Sequence, residues 1–155
     1  MPVSVRDLMS PLPAVVGPET SLSEAAELIW KHRLSDLYVT GSSGCLLGVL
    51  PDYSVLKLSL TDPELPGCVA SLMSCQVASV ASCQSAVEVA LRFRDAVVRS
   101  IPVLEGNRLV GMVTRAELLP HLIASSANSS SGRGSAPARR SRPPHFSEHR
   151  LKAWL

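Results

Sequence analysis

One unit is written twice in the first 124 residues of this chain. Val5-Arg6-Asp7-Leu8-Met9-Ser10 returns 64 positions later as Val69-Ala70-Ser71-Leu72-Met73-Ser74. Ser21-Leu22-Ser23-Glu24-Ala25-Ala26 returns at the same spacing as Ser85-Ala86-Val87-Glu88-Val89-Ala90. Leu47-Gly48-Val49-Leu50 returns as Val110-Gly111-Met112-Val113 at a spacing of 63, a loss of one residue that a surface loop tolerates. Two adjacent copies imply a pseudo-twofold fold whose equivalent positions face a shared interface. A ligand site built by the unit then comes in two versions, and comparing them is a test of function.

The chain has 155 residues, the size of one ordinary domain. With 46% hydrophobic but only 4% aromatic residues, its core must be built from Leu, Val, Ala and Ile. No apolar run approaches the roughly 20 residues that a membrane span requires. The N-terminus lacks the basic-then-apolar order of a secretory leader. These features lead us to expect a soluble, cytoplasmic protein with no membrane partner. Cys45, Cys68, Cys75 and Cys83 form no Cys-x-x-Cys pair and no zinc-ligand spacing, and read as ordinary thiols suited to a reducing compartment. The formal charge of +2 divides unevenly. Residues 125–155 carry six basic side chains against Glu148, whereas residues 1–124 carry nine basic and twelve acidic ones, a balance of −3.

Each copy reads as strand, helix, strand, strand, helix. In the first, Ala14-Val15-Val16 is a short strand stopped by Gly17-Pro18. Ser21 and Glu24 form a capping box for a helix whose apolar stripe is Leu22, Ala25, Ala26 and Ile29. Leu37–Val39 and Cys45–Leu50 form a hairpin, and a helix over 53–60 closes the unit. The second copy places a strand over Val77–Val80 and a helix capped by Ser85 and Glu88 with stripe Ala86, Val89, Ala90 and Phe93. Strands Ile101–Leu104 and Leu109–Val113 and a helix over 114–123 complete it. The stretch 125–144, rich in Ser, Gly, Arg and Pro, lacks apolar periodicity and is expected to be disordered. Phe146, Leu151, Trp154 and Leu155 make the far end either a frayed terminus or a short docking patch.

Leu8-Met9-Ser10-Pro11, the two Ser-x-x-Glu helices, Ser100-Ile101-Pro102-Val103 and Gly111-Met112-Val113-Thr114-Arg115-Ala116-Glu117 together resemble a cystathionine-β-synthase (CBS) domain. Two in tandem resemble a CBS pair, or Bateman module. The resemblance implies an α+β (α/β-type) fold of two tandem β-α-β-β-α CBS repeats related by a pseudo-twofold, followed by a disordered basic tail. Its boundaries fall at 1–61 for the first repeat, 62–67 for a linker, 68–124 for the second repeat and 125–155 for the tail. It also implies a regulatory, non-enzymatic module that forms a homodimer and acts on a protein target the sequence does not name. CBS pairs bind adenosine-containing ligands, such as AMP, ADP, ATP or S-adenosylmethionine, in two clefts.

Members of the family carry Gly-h-h-Ser/Thr-x-x-Asp, with h apolar, at the turn into the last helix. A carboxylate there accepts bonds from both ribose hydroxyls, and the hydroxyl and free N–H groups of the helix start suit a phosphate. The second repeat matches with Gly111, Thr114 and Glu117, Glu standing in place of Asp. The same residues also spell a capping box that needs no ligand, so both readings stand. The first repeat keeps Gly48 but has Pro51 and Ser54 in the other two places. Proline has no N–H or hydroxyl to offer, and that version is degenerate. Arg99-Ser100 precede the strand in repeat two and suit a phosphate, where Ser35-Asp36 in repeat one would repel it. By analogy with the family, Ile101 and the backbone around Val77, Ala78 and Ser79 would hold the adenine.

The expected ligand site is thus Thr114, Glu117, Arg99, Ser100, Ile101, Val77, Ala78 and Ser79. The rival reading is a ligand-free dimeric scaffold. Nucleic acid is not an expected partner, because no aromatic side chains alternate with the arginines of the tail. His145 and His149 share a helical spacing but sit in the tail, and no metal site is expected there. No phosphate-binding GxxxxGK, dinucleotide fingerprint or nucleophile elbow is present, and nothing points to catalysis.

Overall fold

The computed structural model describes residues 3–95 and 98–129. A short helix α1 (Val5–Leu8) precedes the first repeat, which runs β1 (Val15–Val16), α2 (Leu22–His32), β2 (Asp36–Thr40), β3 (Leu46–Pro51) and α3 (Asp52–Thr61). A 3-10 turn at Val69–Ser71 leads into β4 (Val80–Ala81), α4 (Ala86–Asp95), β5 (Ser100–Glu105), β6 (Arg108–Thr114) and α5 (Arg115–Ser129). Each repeat folds as one three-stranded sheet in which the first strand pairs parallel to the second and the second antiparallel to the third. Even the bulges repeat, at Val39/Thr40 and at Val103/Leu104.

Local chemistry sets these elements. The hydroxyls of Ser21 and Ser85 each accept the N–H three residues on, at 3.2 Å, and so cap α2 and α4. α2 stops at Arg33, whose φ of 52° turns the chain left-handed. The apolar stripes face inward: Leu22 and Ala25 on α2, Ala86, Val89 and Phe93 on α4, all buried. Several boundaries shift by a residue or more from the sequence reading, three of them for reasons visible in the structure. Residues 77–79 are not part of β4, which begins at Val80 where pairing with Val103 starts. Cys45 stands outside β3 and bridges to Arg108 instead. α5 continues to Ser129, beyond the helix end expected at 123, because Ala124 to Ser129 contain neither Gly nor Pro to stop it. The remainder of the tail, with His145, Phe146, His149, Leu151, Trp154 and Leu155, lies outside the described residues.

The two repeats are not side-by-side beads, because each completes its core with a segment that precedes the other. Val5 is fully buried among Val80, Val89, Ile101 and Val113 of the second repeat. Val69 is fully buried among Leu22, Leu37, Val39 and Leu50 of the first. Burying one valine stabilises by about 1.5–3 kcal/mol. Backbone bonds fasten both crossings in register. Val5 N–H donates to Gln84 O at 2.9 Å, as Val69 N–H does to Thr20 O at 2.8 Å. Ser10 and Met112 exchange two bonds of 2.9 and 3.0 Å, and Ser74 and Val49 exchange two of 2.8 and 2.9 Å.

This crossing explains the repeated glycine. A Cβ on Gly48 would lie 2.6 Å from the carbonyl oxygen of Ser74, and one on Gly111 would lie 2.7 Å from Met9 Sδ and 3.0 Å from Ser10 O. At the far end the two hairpins also join, through Leu46 N–H to Asn107 O at 3.1 Å and Leu109 N–H to Gly44 O at 3.0 Å.

Gly48→Ala is therefore expected to lower stability to chemical denaturation by about 1–3 kcal/mol through overpacking. Gly17→Ala, where the nearest atom lies 4.0 Å away, should change it by less than about 0.5 kcal/mol. Equal effects of the two substitutions would contradict the crossing as the reason for Gly48.

Candidate ligand cleft

A cleft of about 680 Å³ opens between the repeats. One wall comes from the first repeat: Ser35, Asp36 and Tyr38 at the start of β2, and Val49, Pro51, Asp52 and Tyr53 at the turn from β3 into α3. The other comes from the second: Gln76, Val77 and Ala78 before β4, Leu91 and Arg92 on α4, and Val98 to Pro102 leading into β5. The crossing segments create this arrangement. Because Ser74 pairs with Val49, the chain that follows it, residues 76–78, is laid over the β3–α3 turn of the opposite repeat.

The cleft floor is a polar chain. Ser100 Oγ donates to Asp36 Oδ2 at 3.1 Å and is also hydrogen-bonded to the Tyr38 hydroxyl. Asp36 and Ser100 are equivalent positions, 64 apart, so this bond crosses the pseudo-twofold. Burial raises the Asp36 pKa, outweighing the Ser100 hydrogen bond, with Asp52 adding to the rise and Arg99 opposing it. Burial likewise pushes the Tyr38 hydroxyl up to about 12, so it stays neutral. At the rim the Arg99 guanidinium lies 3.9 Å from the Asp52 carboxylate, with its side chain 74% exposed. Such an exposed pair holds weakly. Arg92 donates to Ser79 O at 3.0 Å.

Five of the eight residues singled out in the sequence line this cleft: Val77, Ala78, Arg99, Ser100 and Ile101. Thr114, Glu117 and the side chain of Ser79 are not among its lining residues. Glu117 instead closes on its own helix. Its Oε2 accepts from Thr114 N–H at 2.6 Å and from the Thr114 hydroxyl, and its Oε1 accepts from Ser10 Oγ at 2.6 Å. Ser35, Asp36 and Pro51, which read from the sequence as a degenerate first-repeat version of the site, line this same cleft together with Tyr38 and Asp52. Their place in this cleft follows from the crossing, which lays residues 76–78 over the first repeat's turn and which periodicity does not report.

A model of the CBS domain matches residues 5–61 and 69–124. The chain belongs to the CBS family. It holds the two domains in tandem, a Bateman module. Hypoxic response protein 1 of Mycobacterium tuberculosis is 31% identical over 124 residues, covering 77% of this chain and 85% of that protein. The structure of CBSX2 in complex with AMP superposes with a TM-score of 0.70 at 25% identity, covering 79% of this chain and 98% of that one. The CBS domain pair of MJ0100, in complex with 5′-methylthioadenosine and S-adenosylmethionine, superposes at 0.66 with 22% identity, covering 81% and 99%.

Within this CBS pair, Cys45 and Cys68 are half-buried and Cys75 and Cys83 exposed, and all four are free thiols. No group of three or more His, Cys, Asp or Glu suited to a metal occurs among the described residues. Among the same residues, no helix is long and apolar enough to cross a membrane.

Glu117 makes the pair acid-sensitive. Burial pushes its pKa up, but the bonds from Ser10 and Thr114 together outweigh that and hold it below its ordinary 4.5. The unfolded chain then takes up this proton more readily than the folded one, so acid favours unfolding. The contribution is complete above pH 4.5 and is lost as pH falls through the depressed folded value. In thermal melts between pH 7 and about pH 3, Glu117→Gln should flatten the acid limb. An unchanged acid limb would show that Glu117 is not what it reports.

Proposed function

We propose that this CBS pair is a regulatory module that binds an adenosine-containing ligand in the cleft between its repeats. AMP, ADP, ATP and S-adenosylmethionine are the class of ligand, and output passes through the packing of the repeats, a homodimer or a protein target. The carrying observation is the cleft itself, whose volume of about 680 Å³ falls within the range of small-molecule sites. Support comes also from its mixture of walls: Val77, Ala78, Ile101 and Pro102 offer apolar surface for a base, and Ser100, Asp36, Asp52 and Arg99 offer polar groups for a sugar and its substituent. Relatives crystallised with AMP, or with 5′-methylthioadenosine and S-adenosylmethionine, support the class. Binding changes output only where the ligand prefers one packing of the repeats over another. A cleft walled by both repeats meets that condition, since any ligand filling it touches both.

Two observations favour the rival, a ligand-free scaffold: Glu117 and Thr114 satisfy each other, and Arg99 faces Asp52. A thermal-shift panel with AMP, ADP, ATP and S-adenosylmethionine separates the two. A ligand present at 100 times its Kd stabilises by about 2.7 kcal/mol, which raises Tm by about 5–10 °C in a domain of this size. The sensor reading expects such a rise with at least one ligand in wild type and in Glu117→Ala, and its loss in Ala78→Phe, which fills the cleft from an exposed position. No rise with any of them would leave the scaffold standing.

A further inference from the structure

Resting on the adenosine reading of this cleft, we infer that it selects adenosine ligands whose 5′ substituent is uncharged or cationic, and discriminates against 5′-phosphates, through Asp36 and Asp52. The cleft holds three groups that suit an anion, and the protein sets an acid or an acceptor oxygen against each. Arg99 faces the Asp52 carboxylate at 3.9 Å. Arg92 is held by the carbonyl of Ser79 at 3.0 Å. The start of α3 is the third, since a helix N-terminus favours negative charge. Pro51 at its cap has no N–H, the N–H of Asp52 is donated to Ser35 O at 2.9 Å, and the Asp52 side chain places an acid in the first turn. A phosphate entering here competes with the Asp52 carboxylate for Arg99 and sits in a cleft lined by two carboxylates.

Asp36 sharpens the discrimination because it lies deeper. It is half-buried at the cleft floor and accepts a bond from Ser100 Oγ. A carboxylate has acceptor capacity for several donors, so it can receive a ribose hydroxyl, an amino group or a cationic centre. Its raised pKa reports the same environment, in which desolvation and Asp52 already penalise negative charge. A further dianion nearby is repelled more strongly than it would be in water, and a sulfonium or ammonium is attracted.

Isothermal titration with S-adenosylmethionine, 5′-methylthioadenosine, AMP and ATP tests this, on wild type, Asp36→Asn and Asp52→Asn. Both substitutions are isosteric, and melting curves check that each variant folds. Wild type should bind the sulfonium and the thioether at least about tenfold more tightly than AMP or ATP. Each Asn variant should narrow that gap by about tenfold in favour of AMP, read as the ratio of the AMP and thioether Kd values within the same variant. Tighter binding of AMP or ATP than of the thioether to wild type overturns the inference and leaves the adenosine reading intact, as does an unchanged gap in both variants. No binding of any of the four overturns the adenosine reading itself, and this inference with it.

Discussion

The structure depends on two close backbone crossings, at Gly48 and at Gly111. In each, a segment preceding one repeat passes over the last strand of the other, and the absence of a Cβ lets backbone and methionine sulfur come within contact. Neither repeat can close its core alone, since Val69 fills the first and Val5 the second. The consequence is a single cooperative unit with two cores, in which anything that shifts one crossing alters both halves. The methionines suit the role, because a flexible thioether adapts to the gap left beside a glycine.

The crossings also decide where the cleft lies. By carrying residues 76–78 over the β3–α3 turn, they bring the second repeat's backbone against Pro51 and Asp52. Between the walls, the pseudo-twofold brings Asp36 opposite its own equivalent, Ser100. Two aspartates there would repel, and two serines would deprive the Ser100 hydroxyl of its carboxylate acceptor. One of each gives a bonded chain of Tyr38, Ser100 and Asp36. A buried hydroxyl or carboxyl without a partner costs about 1–3 kcal/mol, so this asymmetry within the repeat is favoured by folding as well as by any ligand.

Much of this was legible in the sequence. The duplication, the strand and helix order, the helix caps at Ser21 and Ser85 and the inward apolar stripes are all local patterns, and each is found where the pattern places it. Val77, Ala78, Arg99, Ser100 and Ile101 were placed together for a shared reason and do share a cleft. The partners of those residues were not legible. Periodicity reports which face of an element is apolar, but not which repeat a preceding segment will cover. The exchange is a long-range choice, visible in sequence only as two glycines at equivalent places. For the same reason Thr114 and Glu117 could not be separated from the cleft by spacing alone, and β4 could not be bounded without knowing where Val103 sits.

The two helix starts show how a duplicated unit diverges. At the second, Thr114, Glu117 and the crossing Ser10 form a closed set: the acid takes up the helix N–H, the cap hydroxyl and the serine. At the first, the equivalent residues are Pro51, Ser54 and Ser74. Proline needs no cap for an N–H it lacks, and Ser74 Oγ instead accepts from Gln76 N–H at 3.3 Å. With no glutamate to bind it back, the crossing segment is not tied to α3 by a carboxylate, and the acid of that turn, Asp52, faces the cleft and Arg99. The same backbone thus carries a self-satisfied helix start in one repeat and an open, charged one in the other. Three differences between equivalent positions separate the two starts, Pro51 for Thr114, Asp52 for Arg115 and Ser54 for Glu117, while a glycine and a pair of main-chain bonds fasten the crossing beneath each.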